Sequence, residues 1–291
     1  MQRISTQIHY QKLTNDALYY IYRYIDTDIN IDELCRELRV SRFHFQRIFK
    51  KQMGINIYEN IKSIRLQKAS NLLLTHHSST ISDIALSCGY SSQSSFIRAF
   101  QKRFSMTPTE WRNGGFRHFV EQNFEGYSLT SHTKFEKLEP KIITTEPQKA
   151  YYMRHLGYNP QVKKVWQKML AWIYTHEIKS YTLLGLYHDN PIVTPLSQCA
   201  YVAAIIPNGT YELKANSLPY FTIPGGLYAT FRVKGVYGDI LRLIEWAYHD
   251  WLPSSGFETS TMPSYTIFEK NHFLEEDEIF SVLYHLPIRF R

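Results

Sequence analysis

Residues 88 to 112 read "CGYSSQSSFIRAFQKRFSMTPTEWR". Phe96, Ala99, Phe100 and Phe104 recur at helical spacing and give one apolar face, while Gln93, Ser94, Ile97, Arg98 and Gln101 fall on the other. Ahead of them Gly89 interrupts the pattern of Ile84, Ala85 and Cys88, and a run of small polar residues follows. A helix that only fills a core has no use for such a bare first turn. One that enters a narrow groove needs small hydrogen-bonding residues there, with free backbone N–H groups offered to phosphate. The stretch therefore predicts helix, short turn, helix, with the second helix inserted into a polyanion.

The same pattern occurs upstream. Ile31 and Leu34 match Ile81 and Ile84; after one residue inserted in the turn, Phe45, Arg47, Phe49 and Lys51 match Phe96, Arg98, Phe100 and Lys102. In this first unit Ile31, Leu34, Cys35 and Leu38 have helical spacing, Val40 and Ser41 break it, and Ser41 is placed to cap a second helix with the stripe Phe45, Ile48 and Phe49. Between the units, a stretch without Pro or Gly sets Ile57, Ile61, Ile64, Leu72 and Leu73 on a long linking helix, and residues 14 to 25 supply one more amphipathic helix.

Two helix-turn-helix units joined by a stiff helix suit successive major grooves of DNA, each second helix being the reader. Opposite the first apolar stripe lie Phe43, Gln46, Arg47 and Lys50, and opposite the second lie Gln93, Ser94 and Arg98, with Ser92 and Ser95 in the small first turn. Arg donates twice to guanine, Gln pairs with adenine, Ser suits base edges or phosphate, and the Phe43 ring packs on thymine methyls. Charge agrees. Residues 1 to 118 hold 17 Lys+Arg against 9 Asp+Glu, and residues 119 to 291 hold 16 against 17, so the whole formal excess of +7 resides in the first part.

The 291 residues are enough for two domains, with no run of eighteen apolar residues and no apolar leader at the start, so a cytoplasmic protein without a membrane partner is expected. Cys35, Cys88 and Cys199 are far apart and odd in number, which suits reduced thiols. Twelve histidines are scattered without HExxH or CxxC spacing, and there is no phosphate-binding glycine loop and no G-x-S-x-G elbow. No cofactor, metal site or catalytic residue is expected.

The stretch quoted above, with "SIRLQKASNLL" upstream, resembles the DNA-binding domain of AraC/XylS-type transcription regulators over about residues 10 to 113. The resemblance implies base contacts from Phe43, Gln46 and Arg47 in the first reading helix, and from Gln93, Ser94, Ser95 and Arg98 in the second. Ser94 stands where some stress-responsive members carry a longer Gln.

After Arg112, "NGG" at 113 to 115 reads as a hinge, and the remainder begins near Phe119. It too is duplicated: "YMRHLGY" at 152 echoes "TFRVKGVY" at 230, "LAWIYTHEI" at 170 echoes "IEWAYHDWL" at 244, and "CAYVAAIIP" at 199 is followed by "IFSVLYHLP" at 279. Each half reads strand, helix, strand, strand, and the pair is expected to leave a ligand groove between the two helices. The predicted architecture is thus an all-α double helix-turn-helix domain over 1–113, a linker over 114–136, and an α+β domain of duplicated β-α-β-β units over 137–291.

"IPGGLYATFRVKG" followed by "WLPSSGFE" and "FEKN" resembles the gyrase-inhibitor-like effector-binding domain, and the two resemblances together match the architecture of right-origin-binding proteins. That resemblance implies an amphipathic, often cationic, small molecule. It points to Glu269 as the pocket carboxylate on a strand face with Tyr265 and Ile267, and Tyr228, Trp246 and Tyr248 are candidate aromatic walls. The expected function is a sequence-specific activator that presents its reading helices to promoter DNA and RNA polymerase under control of that effector. An architectural DNA binder with an inert second domain, or a hydrolase using Glu269, is the alternative.

Overall fold

The computed structural model describes residues 2–123, 135, 137–209 and 218–291. In the N-terminal part, α1 (Gln2–Arg23), α2 (Ile31–Glu37), α3 (Arg42–Met53), α4 (Ile57–Thr75), α5 (Ile81–Ser87) and α6 (Gln93–Phe104) form the two units. Their boundaries are written in capping side chains. Asn30, Ser41, Asn56, Thr80 and Ser92 each accept a backbone N–H from the first turn of the helix that follows, and Asp83 returns the bond to Thr80 in a capping box. The turn between α2 and α3 is one residue shorter than that between α5 and α6, as the sequence alignment requires. Gly89 in the longer turn has φ +75°, and a Cβ there would meet the Ile25 carbonyl oxygen at 2.7 Å.

The apolar stripes close the core as expected: Phe45, Ile48 and Phe49 of α3, and Phe96, Phe100 and Phe104 of α6, are buried, as are Ile57, Ile61, Ile64, Leu72 and Leu73 of α4. Cys35, Cys88 and Cys199 are buried and unbridged.

Where the hinge is expected the chain kinks between two short helical pieces; of the expected linker over 114–136, residues 124–134 and 136 lie outside the described residues. The helical turn α7 (Pro108–Glu110), capped by Thr107, runs through a kink at Trp111–Gly115 into α8 (Phe116–Asn123). Gly114 supplies the kink with φ +105°, and a Cβ on Gly115 would lie 2.8 Å from the Glu110 carbonyl oxygen. The glycines answer to turn geometry and close packing. Trp111 is fully buried, Phe116 and Val120 are buried beside it, and Phe119 packs on Phe104 within α8 instead of opening a new domain.

Beyond it come β1 (Lys141–Thr145), β2 (Gln148–Leu156), α9 (Val162–Thr175), β3 (Tyr181–Tyr187), β4 (Ala200–Pro207), β5 (Tyr220–Ile223), β6 (Gly226–Val236), α10 (Asp239–Trp246), α11 (Leu252–Ser254), β7 (Phe257–Thr259), β8 (Ser264–Lys270) and β9 (Ile279–Phe290). The duplicated β-α-β-β units are β2-α9-β3-β4 and β6-α10-β8-β9. They meet through antiparallel β3 and β8 in the order β1-β6-β9-β8-β3-β4-β2-β5, with β7 on β9. Strands β1 and β5 are exchanged: each leads into its own half but pairs with the first strand of the other. Only Glu146 and Pro147 separate β1 from β2, which stand near opposite ends of the strand order, so the sheet must curl until its ends meet.

Helices α9 and α10 pack on the outer face through Val162, Trp166, Met169, Ile240, Leu243 and Ile244. The groove expected between them is filled: the repeat mates Tyr158 and Tyr237 stack at 6.1 Å, with Tyr201 and Phe273 against them. The inner face carries Ala150, Tyr152, Leu184, Leu186, Val202, Tyr228 and Tyr265.

The two parts are not loosely tethered. One continuous apolar cluster runs from Leu73, Phe100, Trp111 and Phe116 into Trp246, Ala247 and Tyr284. Polar bonds reinforce it: Gln67 of α4 with Asp189 and Asn190, Arg103 of α6 with the Val193 carbonyl, and His76 with Glu258 at 3.0 Å.

Candidate DNA interface and effector cavity

On α3, Phe43 is 79% exposed, Arg47 and Lys50 are exposed and Gln46 is half-buried; on α6, Ser92, Gln93, Ser94 and Arg98 are exposed and Ser95 is half-buried. Both sets sit where the register of the apolar stripes puts them, opposite the buried Phe residues. The Phe43 ring adds nothing to the core, and it stands on the same face as Arg47 and Lys50. Neither Arg47 nor Arg98 makes an ion pair among the described residues; the one side-chain bond of Arg47 runs to His44 at 3.3 Å. Guanidinium groups held out on helix surfaces without an internal anion are free to donate to bases or phosphate.

The small residues at the start of α6 have a local task as well. The Ser92 hydroxyl accepts from the Ser95 N–H at 3.3 Å, and the Ser95 hydroxyl donates back to the Ser92 carbonyl at 2.8 Å. The first turn is thus fixed by side chains too short to keep a phosphate away.

The four residues expected to line an effector pocket are not brought together. Trp246 and Tyr248 lie on the helix side, buried among Phe135, Phe231 and Tyr284. Trp246 is core because its ring closes the apolar cluster under α10. Tyr228 is on the inner face, its ring against Tyr265 and its hydroxyl donating to the Pro224 carbonyl at 2.9 Å; burial pushes that hydroxyl up to about 12. Glu269 also shares the inner side with Tyr265 and Ile267, at the end of β8. There it is paired to Arg232 and accepts from the Ser281 hydroxyl at 2.8 Å. Its charge is already compensated.

A larger cavity, of about 750 Å³, lies elsewhere: between α1 and the inner face of the first half. That volume is within the range that takes drug-sized ligands. Leu18, Tyr19 and Tyr22 of α1 form one wall, Tyr152, Leu186 and Val202 the floor, and Tyr220 and Phe221 of the exchanged strand β5 another side. Lys12, Asp16 and Glu146 stand among the lining residues, and burial raises the Asp16 carboxyl against the pull of Lys12.

Asn15 ties the α1 wall to the floor. Its amide nitrogen donates to the Tyr152 hydroxyl at 2.7 Å, and its amide oxygen accepts from Arg154 Nη2 at 2.8 Å. Deeper in, the Tyr22 hydroxyl meets His188 Nδ1 at 2.8 Å, and Thr261 donates to the Tyr22 carbonyl at 2.6 Å. Burial, followed by the Arg154 charge, holds His188 well below the ordinary histidine range, so its ring is neutral. Sequence reasoning missed this cavity because one wall belongs to the first domain. The one trace of it was the unassigned match between Arg154 and Arg232.

Among the described residues no cluster of three His, Cys, Asp or Glu side chains could hold a metal ion, and no helix is long and apolar enough to cross a membrane.

Comparison with known proteins agrees with this division. A helix-turn-helix domain family matches residues 34–114, and the GyrI-like small molecule binding domain family matches residues 138–289. Over 107 residues the chain is 36% identical to the probable transcription factor PqrA of Proteus vulgaris, covering 36% of this chain and 87% of PqrA. Over 104 residues it is 33% identical to the regulatory protein SoxS of Escherichia coli (strain K12), covering 36% of this chain and 96% of SoxS. It is also 31% identical over 121 residues to the uncharacterized HTH-type transcriptional regulator YbfP of Bacillus subtilis (strain 168), covering 41% of this chain and 40% of YbfP.

Proposed function

This chain belongs to the AraC-type transcription regulators that carry a GyrI-like small molecule binding domain, and from that premise we propose that it is an activator whose response to an amphipathic effector passes through α1. Helices α3 and α6 enter successive major grooves of promoter DNA. Arg47, Gln46 and Phe43 read bases in one, and Arg98, Gln93 and Ser94 in the other, while Lys50, Ser92 and Ser95 hold phosphate. RNA polymerase is engaged once both readers are seated.

The observation that carries the reading is the matched pair of outward faces on α3 and α6, on which Arg47 and Arg98 are exposed and make no ion pair among the described residues. Effector control rests on the cavity, since a ligand there touches α1 of the first unit and the sheet of the second domain at once. A ligand that favours one placement of α1 over another shifts the first reader relative to the second by its differential affinity for the two placements.

The test is fluorescence anisotropy of the full chain on the duplex upstream of its own gene and on a random duplex, across a salt series. Tighter binding to the former is expected, with the logarithm of affinity falling in proportion to the phosphates neutralised. Equal affinity for the two duplexes refutes sequence-specific regulation.

A further inference from the structure

The duplication of the second domain supplies an internal control. Across the sheet, Arg154 of β2 stands opposite Val202 of β4, which stands opposite Leu186 of β3. In the other half Arg232 of β6 stands opposite Leu283 of β9, which stands opposite Ile267 of β8. Arg154 and Arg232 are therefore mates, as are Leu186 and Ile267. Two residues beyond the second pair, His188 matches Glu269. In the second half the arginine is neutralised by its acid, Arg232 by Glu269. In the first half the acid is replaced by a histidine that burial keeps neutral.

Arg154 is left with an incomplete set of partners. Its Nη2 bonds Asn15, and the plane lies over the Tyr152 ring at 5.4 Å, but Nε and Nη1 are shielded from solvent and have no acceptor among the described residues. Guanidinium donors shielded from water and left unsatisfied are costly unless an anion reaches them. Arg154 is among the residues lining the α1 cavity, its Nε and Nη1 turned just behind the wall; the other charged lining residues are Lys12, Asp16 and Glu146, and the rest of the wall is largely aromatic and aliphatic.

We propose that the cavity takes a flat amphipathic anion, whose carboxylate occupies in the first half the place that Glu269 fills in the second. The apolar body lies between Tyr19 and Tyr22 of α1 and Tyr152 and Phe221 of the sheet, and a turn of the Arg154 guanidinium edge toward the cavity lets the carboxylate accept from Nε and Nη1 while Nη2 stays on Asn15. Arg154 is thus the residue that selects the sign of the ligand's charge. The inference rests on the reading that the effector binds in this cavity. It reverses the cationic preference expected from resemblance, because the carboxylate on which that expectation depended is already paired.

The probes are 9-anthroate and its cationic counterpart, 9-anthracenylmethylammonium, titrated into the full chain and followed by fluorescence and calorimetry. Wild type is expected to bind the anion more tightly. Arg154→Met is expected to weaken the anion about thirtyfold, the equivalent of one charge-assisted pair, while leaving the cation unchanged. Arg154→Lys, which keeps the charge but loses the fork, is expected to fall between. His188→Glu builds the missing acid into the chain and is expected to abolish anthroate binding while improving that of the cation.

Leu186→Trp in the floor, or Thr222→Trp at the mouth, separates this inference from the reading beneath it. If these abolish anthroate binding but Arg154→Met and His188→Glu do not alter it, the cavity is the effector site and the anionic anchor is wrong. If the cation binds wild type as tightly as the anion, the anchor is wrong as well. If anthroate fails to bind wild type, or binds unaffected by Trp at either position, the cavity reading falls and the inference with it.

Discussion

Replacing Gln67 by Leu tests whether α4 is clamped to the second domain as tightly as the geometry implies. Gln67 Nε2 donates to the Asp189 carboxylate at 3.2 Å, and Gln67 Oε1 accepts the Asn190 N–H at 2.7 Å. The other oxygen of Asp189 accepts the Ala200 N–H at 2.9 Å. Leu fills a similar volume, so the loss is mainly polar: one donor to a buried carboxylate and one orphaned backbone N–H. Together these cost about 3 kcal/mol after allowance for partial hydration of the loop. For a chain of this size that corresponds to a fall in melting temperature of about 5 °C.

The sign of the pH dependence follows from Asp189, whose carboxyl is raised by burial and only partly drawn back by the Ala200 N–H, Gln67 and Arg103. A carboxyl raised in the folded state binds more protons there than in the unfolded chain, so its contribution to stability is present below the unfolded value and declines as pH rises through the folded one. Removing the Gln67 donor raises the carboxyl further and extends that decline upward. The gap between wild type and Gln67→Leu should therefore be about 3 kcal/mol at pH 7.5 and about half that near pH 4, where the protonated carboxyl no longer needs a charge-assisted donor. Urea titrations at the two pH values measure it. A midpoint at pH 7.5 indistinguishable from wild type, or a loss equal at both pH values, would refute the clamp.

Three further outcomes concern the DNA and effector faces. Arg98→Ala should leave the melting temperature unchanged and cost about 1 to 3 kcal/mol of specific binding, with relaxed preference at one base step; equal weakening on random duplex would assign Arg98 to phosphate. Phe43→Ala, at a ring 79% exposed, should also spare stability and lower affinity for the upstream duplex by roughly 1 kcal/mol in anisotropy titrations. Glu269→Gln breaks a pair whose arginine is largely exposed, so a stability loss under about 1 kcal/mol and unchanged 9-anthroate binding are expected; loss of that binding would restore Glu269 as a pocket carboxylate.

The helical half was legible because its information is local. The spacing of Phe45, Ile48 and Phe49 and of Phe96, Phe100 and Phe104 fixes which side of each helix is buried, and the side chains of Ser41 and Ser92 end the preceding turns within three residues. The duplicated strands were legible for the same reason: alternation put Tyr265, Ile267 and Glu269 on one face, where the structure has them. Alternation says nothing about the neighbouring strand. That Arg232 stands across from Glu269, and that β1 and β5 exchange halves, depends on pairings set by closure of the whole curled sheet.

The effector cavity was hidden at a still longer range, since Asn15 and Tyr152 meet across 137 residues of chain. The glycines at 114 and 115 mark a kink between two helices. Read as sequence they suggest a flexible joint through which a ligand signal would pass, but Gly115 leaves no room for a Cβ and Trp111 beside it is fully buried. A segment locked on both sides is a poor place for two alternative arrangements of low energy difference. Helix α1 is a better one: its hold on the second domain includes a few polar bonds at Asn15 and Tyr22 around an open cavity, and its other face carries the core of the first reading unit through Ala17 and Ile21. Whatever enters the cavity must press on that helix first, and the first reader follows it.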